Sequence, residues 1–61
     1  MKPTLTLTGT DGNAFAILGA AAKAMRSAGI EPNEIHRMQA EATSGDYDHL
    51  LATVMQYCEV V

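Results

Sequence analysis

A single cysteine, Cys58, in a chain of 61 residues is the feature that most limits how this sequence can fold. A domain of this length buries only about 60% of the surface that its unfolded chain exposes, so it usually needs disulfides, a metal ion or self-association as well. One cysteine cannot form an internal disulfide, and His36 and His49 stand too far apart, in different segments, for the spacing of a zinc site. We therefore expect one domain over residues 1–61 that forms a homodimer or larger homo-oligomer and uses no metal and no cofactor.

Charge and hydropathy disfavour several classes of protein. The net charge is −3 and the basic residues are scattered, whereas a nucleic-acid-binding protein normally carries a basic patch. The apolar run over residues 14–22 is far shorter than the roughly 20 residues that span a membrane, and the opening MKPTLTLTG is no signal-peptide core. We expect a soluble cytoplasmic protein that binds neither nucleic acid nor membranes. The basic residues are Lys2, Lys23, Arg26 and Arg37.

The first half of the chain predicts a strand followed by a helix. The segment Thr4–Thr8 alternates threonine with leucine, which is typical of a strand with one buried face. Residues 9–12 have turn chemistry, and Asn13 is a predicted N-cap. The helix should end near residues 27–28, because Gly29 suits the position just beyond a helix. Its predicted apolar stripe is Phe15, Leu18, Ala22 and Met25, flanked by Ile17, Ala21 and Ala24.

The second half predicts two more helices and a second strand. Pro32 suits the first position of a helix that ends near Ala42, before the helix-breaking residues 43–45. Asp46 should cap the third helix, and the β-prone residues 57–61 should form a short strand. The order is β-α-α-α-β, a small α+β fold in which three helices pack with a two-stranded sheet. Three intervening helices allow the terminal strands to lie parallel.

The predicted first helix has mostly small side chains around Gly19, because several of the neighbouring residues are alanines. Glycine within a helix costs on the order of 1 kcal/mol relative to alanine. Such a residue suggests that another backbone or a ligand comes close. We expect tight packing of another helix against Gly19, either within the chain or across a subunit interface.

Two loops hold most of the side chains that could carry chemistry. If consecutive helices pack antiparallel, the loop at residues 9–13 and the loop at residues 43–48 meet at one end of the domain. The first loop lacks the lysine and glycine spacing of a phosphate-binding loop, and it does not match a calcium loop. The candidate ligand-binding residues are Asp11, Gly12, Asn13, Thr43, Ser44, Gly45, Asp46, Tyr47, Asp48 and His49.

The second loop also raises the questions of catalysis and metal binding. Ser44 and His49 could act as nucleophile and base, but no nucleophile-elbow sequence surrounds Ser44, and adjacent residues seldom form a triad. Asp46, Asp48 and His49 could hold a metal ion, yet residues two apart on a helix point in different directions. The simpler interpretation is that Ser44 or Asp46 caps a helix and that His49 is partly exposed. We assign no catalytic residue and no metal ligand.

The acidic residues at this end disfavour a bare phosphate and favour a cation, an amine, a ribose hydroxyl or a basic partner surface. Gly12 and Gly45 would allow a close approach to the backbone. Tyr47 or Phe15 could stack on a base, although we expect Phe15 to pack in the core.

Two stretches, DGNAFAILG at residues 11–19 and EATSGDYDHLLATVMQY at residues 41–57, resemble a family of very small proteins from bacteriophage and mobile-element genomes. The resemblance implies a phage or prophage setting in a host cytoplasm and implies no enzyme activity. Small phage proteins are often accessory binders, including inhibitors of host defence and proteins that sequester its signalling nucleotides. We therefore predict a non-enzymatic protein that sequesters a small, nucleotide-like ligand as an accessory or anti-defence factor. The alternative is an acidic protein-interaction module that inhibits a host enzyme.

Overall fold

The computed structural model describes residues 2–7, 9 and 12–61, and its elements follow the predicted order. Three helices and a two-stranded parallel sheet form an α+β fold. The elements are β1 (Thr4–Leu5), α1 (Ala14–Ser27), α2 (Pro32–Ala42), α3 (Tyr47–Tyr57) and β2 (Glu59–Val60). Within this described part of the chain, no helix is long and apolar enough to cross a membrane.

The sheet joins the first and last elements of the chain. β1 and β2 run parallel, with Thr4 opposite Glu59. The N–H groups of Glu59 and Val61 donate to the carbonyl oxygens of Pro3, over 2.8 Å, and Leu5, over 2.9 Å. The parallel arrangement that three intervening helices allow is thus present, and the two strands pair within one chain.

The first strand is shorter than the predicted segment Thr4–Thr8. β1 ends at Leu5, although the N–H of Leu7 still donates to the carbonyl oxygen of Val61 over 3.3 Å. Thr8 lies outside the described residues.

The second strand begins later than predicted. Tyr57 is the last residue of α3, so its assignment to a strand is wrong. The N–H of Cys58 donates to the carbonyl oxygen of Val54 over 2.8 Å, which continues the helical hydrogen-bond pattern one residue further. Strand propensity is strongly context-dependent, and here the helical bond prevails until Glu59.

Side chains cap two of the helices as predicted. The Asn13 side-chain oxygen accepts the Ala16 N–H over 2.8 Å at the start of α1, and the Asp46 carboxylate accepts the His49 N–H over 2.9 Å at the start of α3. Each bond satisfies an amide that the helix itself cannot pair. Pro32 occupies the first turn of α2, where its missing N–H costs nothing.

Gly29 ends α1 in the left-handed conformation, with φ of 81°. Its N–H donates to the carbonyl oxygen of Arg26, and the N–H of Ile30 donates to that of Met25, both over 3.0 Å. These two bonds are the Schellman motif. The positive φ explains why glycine stands at this position.

The core lies where one face of each helix meets the inner side of the sheet. Its apolar members are Leu5, Ile17, Ala21, Ala22, Met25, Ile35, Met38, Ala42, Leu50, Val54 and Cys58. The buried polar residue Thr53 donates its hydroxyl to the carbonyl oxygen of His49 over 2.8 Å, so its burial leaves no unpaired donor.

The predicted core position of Phe15 is wrong, because this side chain is 84% exposed. The buried face of α1 is centred on the row Ile17, Ala21 and Met25. Successive helical residues turn by about 100°, so Phe15 falls at the edge of that face. Ala22 lies at the same edge but is buried. The difference follows position along the helix, since Ala22 lies in the middle of α1 and Phe15 lies in its first turn.

No other helix of the same chain packs closely against Gly19. It is exposed, and among the described residues no atom outside the local helix lies within 4 Å of the position that a Cβ would occupy. The expectation of close packing within the chain is therefore wrong, since α1 turns its alanines Ala21 and Ala22 to the core instead. A contact across a subunit interface stays a prediction.

Candidate functional site

A cleft of about 240 Å³ opens where the N-terminal turn of α1 faces the loop between α2 and α3. Both segments line this cleft, and the Tyr47 hydroxyl bonds to the Gly12 carbonyl oxygen, so the two loops meet at one end of the molecule, as the sequence predicts. The residues that line the cleft are Ala14, Phe15, Leu18, Ala42, Thr43, Gly45, Asp46, Tyr47 and Leu50.

Two aromatic side chains flank an apolar interior. Phe15 is 84% exposed and Tyr47 is 45% exposed, whereas the lining residues Ala42 and Leu50 are buried. Both aromatic residues stand in the first turn of a helix. Large apolar side chains exposed around a concave surface are typical of binding sites.

A hydrogen bond between the two loops holds one wall in place. The Tyr47 hydroxyl donates to the carbonyl oxygen of Gly12 over 2.5 Å. The bond joins residues 35 positions apart in the chain, so it connects the entry to α1 with the first residue of α3. It orients the Tyr47 ring without help from a ligand.

Asp46 is the charged residue among the described residues that line the cleft. One carboxylate oxygen, Oδ1, accepts the His49 N–H as the α3 cap. A carboxylate has a second oxygen and about four acceptor sites in all. Asp46 can therefore cap its helix and still present negative charge to the cleft.

His49 belongs to a separate cluster with Glu41 and Ser44. Its Nε2 lies 2.8 Å from Glu41 Oε2, 3.0 Å from the Glu41 carbonyl oxygen and 3.4 Å from Ser44 Oγ. The Ser44 hydroxyl donates to that same carbonyl oxygen over 2.7 Å. The cluster ties the end of α2 to the first turn of α3, and the His49 and Glu41 side chains are 40% and 55% exposed.

This cluster does not have the geometry of a nucleophilic triad. In a triad, one ring nitrogen faces the nucleophile and the other faces the carboxylate. Here Nε2 alone faces both Ser44 and Glu41. Because both Glu41 oxygens near Nε2 are acceptors, Nε2 carries the hydrogen and is not available as a base toward Ser44.

Gly45 makes room for His49 rather than for a ligand. A Cβ at Gly45 would lie 3.0 Å from His49 Cβ and Cγ. A side chain at Gly12 would meet no such neighbour, because nothing among the described residues lies within 4 Å of its Cβ position.

The candidate residues from the sequence thus fall into different places. Thr43, Gly45, Asp46 and Tyr47 line the cleft. Gly12 does not line the cleft, but its carbonyl oxygen accepts the hydrogen bond from Tyr47, which does. Asn13 caps the N-terminus of α1. Ser44 and His49 both contact Glu41. Asp48 lies in the first turn of α3 and does not line the cleft. Asp11 lies outside the described residues.

Sequence reasoning missed most of the apolar lining. The small or aliphatic side chains of the lining carry no chemistry that marks a site, and the sequence predicts a core position for Phe15. These small or aliphatic residues are Ala14, Leu18, Ala42 and Leu50. The signal that could have identified Phe15 is its place in the first turn of α1 and at the edge of the buried face. The contact between Glu41 and His49 depends on the path of the loop between α2 and α3, which no local sequence pattern indicates.

No group of three or more His, Cys, Asp or Glu side chains within the described ranges could hold a metal ion. The thiol of Cys58 is buried at the opposite end of α3 from the cleft, and this burial raises its pKa, with a smaller opposing effect from Lys2.

Comparison with protein-family models, with curated proteins and with solved structures gives no match for this chain. The resemblance to phage and mobile-element proteins stays a prediction.

Proposed function

We propose that this protein is a non-catalytic binding protein that takes a compact apolar or planar group of a small ligand into the cleft beside Phe15 and Tyr47. The exposure of Phe15 carries the proposal. Burying a side chain of this size is worth about 1.5–3 kcal/mol, yet this one stands 84% exposed beside a cavity. A ligand that covers Phe15 would recover part of that free energy.

The size of the cleft limits what enters it. Pockets for drug-sized molecules measure roughly 300–1,000 Å³, and this one measures about 240 Å³. One ring system or one compact group therefore fits, and the rest of the ligand remains outside. For a nucleotide-like ligand, the base would occupy the cleft, and the phosphates would point away from Asp46.

The biological setting is part of the proposal. Sequestration of a small molecule in a host cytoplasm suits an accessory or anti-defence factor, which acts by binding and needs no turnover. We also propose self-association into a homodimer or larger oligomer, because a domain of this length has a marginal core.

A titration of the ¹⁵N-labelled protein followed by NMR tests the binding function. Nucleosides, their monophosphates and small planar heterocycles form the panel. We expect at least one to shift the amide signals of Leu18, Thr43 and Leu50, and we expect each nucleoside to bind at least as tightly as its monophosphate. Phe15→Ala should weaken binding about tenfold, because stacking on an aromatic ring is worth about 1–3 kcal/mol per base.

Met55→Ala is the matched control, since Met55 is 59% exposed outside the cleft, and it should leave binding unchanged. The proposal is wrong if no compound shifts the cleft signals. Equal weakening by both substitutions would contradict the assignment of the site.

The second candidate function is a protein-interaction module that inhibits a host enzyme. The same protruding Phe15 favours it, because aromatic residues are enriched in protein interfaces. Capture of one host enzyme by the wild type and not by Phe15→Ala, together with inhibition of that enzyme and no small-molecule binding, would select this function.

A further inference from the structure

We infer that the group bound in the cleft is a compact organic cation, a substituted ammonium. The inference rests on the proposed binding function at this cleft and specifies a charged ligand class outside the nucleoside and heterocycle panel. It is carried by the joint placement of two aromatic side chains and one carboxylate around a single small cavity.

The charges around the cleft favour a cation. The N-termini of α1 and α3 both face it, and each helix dipole contributes about half a positive charge there. Asp46, which lines the cleft, contributes a full negative charge. The C-terminal end of α2, whose last residue Ala42 also lines the cleft, contributes about half a negative charge. Together they outweigh the two positive helix ends, and none of the four basic residues of the chain lines the cleft.

The aromatic walls supply a second attraction for the same charge. The face of an aromatic ring is electronegative, and it attracts a cation placed over it. Tyr47 is already oriented by its bond to Gly12, so its ring needs no ordering when the cation binds. Phe15 lies on the other helix and can approach the same cavity.

The apolar lining distinguishes an organic cation from a metal ion. Calcium and magnesium require several oxygen ligands, and Asp46 is the one carboxylate among the described lining residues. Ala42, Leu18 and Leu50 present hydrocarbon, which suits the methyl groups of a substituted ammonium. The cavity of about 240 Å³ accepts a group of that size.

Choline and its neutral isostere 3,3-dimethylbutan-1-ol test the inference, since they differ in charge and hardly in shape. In an NMR titration of the ¹⁵N-labelled wild type, choline should shift the amide signals of the cleft and bind about tenfold more tightly than the alcohol, a difference of about 1.4 kcal/mol. A peptide that carries trimethyllysine is titrated in the same way. Tighter binding of the peptide than of choline would identify a cation on a protein as the ligand, and tighter binding of choline would identify a free cation.

Asp46→Asn is the informative variant, because asparagine caps a helix about as well as aspartate and removes the charge. It should abolish the preference for choline over the alcohol. Asp48→Asn, which removes the same charge outside the cleft, should retain most of that preference. A thermal melt of each variant verifies that it folds.

The inference is overturned if the alcohol binds as tightly as choline, or if neither compound shifts the cleft signals. It is also overturned if Asp46→Asn and Asp48→Asn reduce the preference equally. In each case the proposed function still stands when a planar compound binds beside Phe15. That function fails only when the nucleosides, the heterocycles, choline and the alcohol all leave the cleft signals unshifted.

Discussion

At the scale of single residues, Gly45 determines how the loop between α2 and α3 reaches the cleft. Its lack of a side chain admits the His49 ring, whose Nε2 then contacts Glu41. The loop is thus held at its far side by this cluster and on the cleft side by the Tyr47–Gly12 bond. Both contacts set the position of Asp46.

Gly45→Ala should destabilise the protein by about 1 kcal/mol, because the new methyl group would lie 3.0 Å from His49 Cβ and Cγ and overpacking costs energy of this order. The imidazole would have to move away from Glu41. The free energy of unfolding in urea measures the effect. Gly12→Ala is the control and should stay within about 0.5 kcal/mol of the wild type or stabilise slightly, since its Cβ meets nothing among the described residues. Equal effects at both positions would contradict the role of Gly45.

Cys58 should make stability depend on alkaline pH. Burial raises the pKa of its thiol above the ordinary value of 9.0, so between the two values the folded state holds a proton that the unfolded state has lost. The stabilisation is complete below pH 9 and is lost as the pH rises through the folded-state pKa. Urea unfolding from pH 8 to pH 10.5 should therefore show a steeper loss of stability for the wild type than for Cys58→Ala. Parallel curves would show that the thiol does not contribute.

At the scale of the elements, the sequence predicts starts and ends of helices better than it predicts their faces. Asn13, Asp46 and Gly29 act locally, through bonds to residues within a few positions, and all three have the predicted roles. The exposure of Phe15 depends on where α2 and α3 pack against α1, which the spacing of apolar residues does not determine. Tyr57 shows the same limit, because a continuing helix overrides its preference for strand.

The outer face of α1 is the element to test for self-association. Gly19→Leu should disrupt a close contact between subunits and lower the mass measured by size exclusion with light scattering. Ala40→Leu places the same leucine side chain at an exposed position of α2 and should leave the mass unchanged. Gly19→Ala isolates the effect on the helix itself, and by propensity alone it should stabilise the chain by about 1 kcal/mol. An unchanged mass for Gly19→Leu would remove this face from the interface.

At the scale of the whole molecule, the candidate site was partly predictable. The assumption that short helices pack antiparallel predicts that the loop at residues 9–13 meets residues 43–48, and the bond from Tyr47 to Gly12 joins the two loops in the described part of the chain. The cavity itself was not predictable, because it depends on how far apart those helices pack and on small apolar residues such as Ala14 and Ala42.

The marginal core leads to one prediction for the entire chain. If self-association supplements the core, the melting temperature should rise with protein concentration, because subunit binding stabilises the folded state by mass action. Calorimetry at concentrations a hundredfold apart would measure the change. A melting temperature that does not vary would show that the monomer is stable by itself.

The parallel pairing of β1 and β2 also determines how the molecule resists a pulling force. Tension applied at residues 2 and 61 acts along the two strands in opposite directions, so it shears them instead of peeling them apart. The bonds donated by Glu59, Val61 and Leu7 are then strained together. All three helices lie between the strands in the chain, so they bear no tension until the sheet has separated. The mechanical resistance of the fold to this pulling geometry therefore depends on a sheet with only two residues per strand.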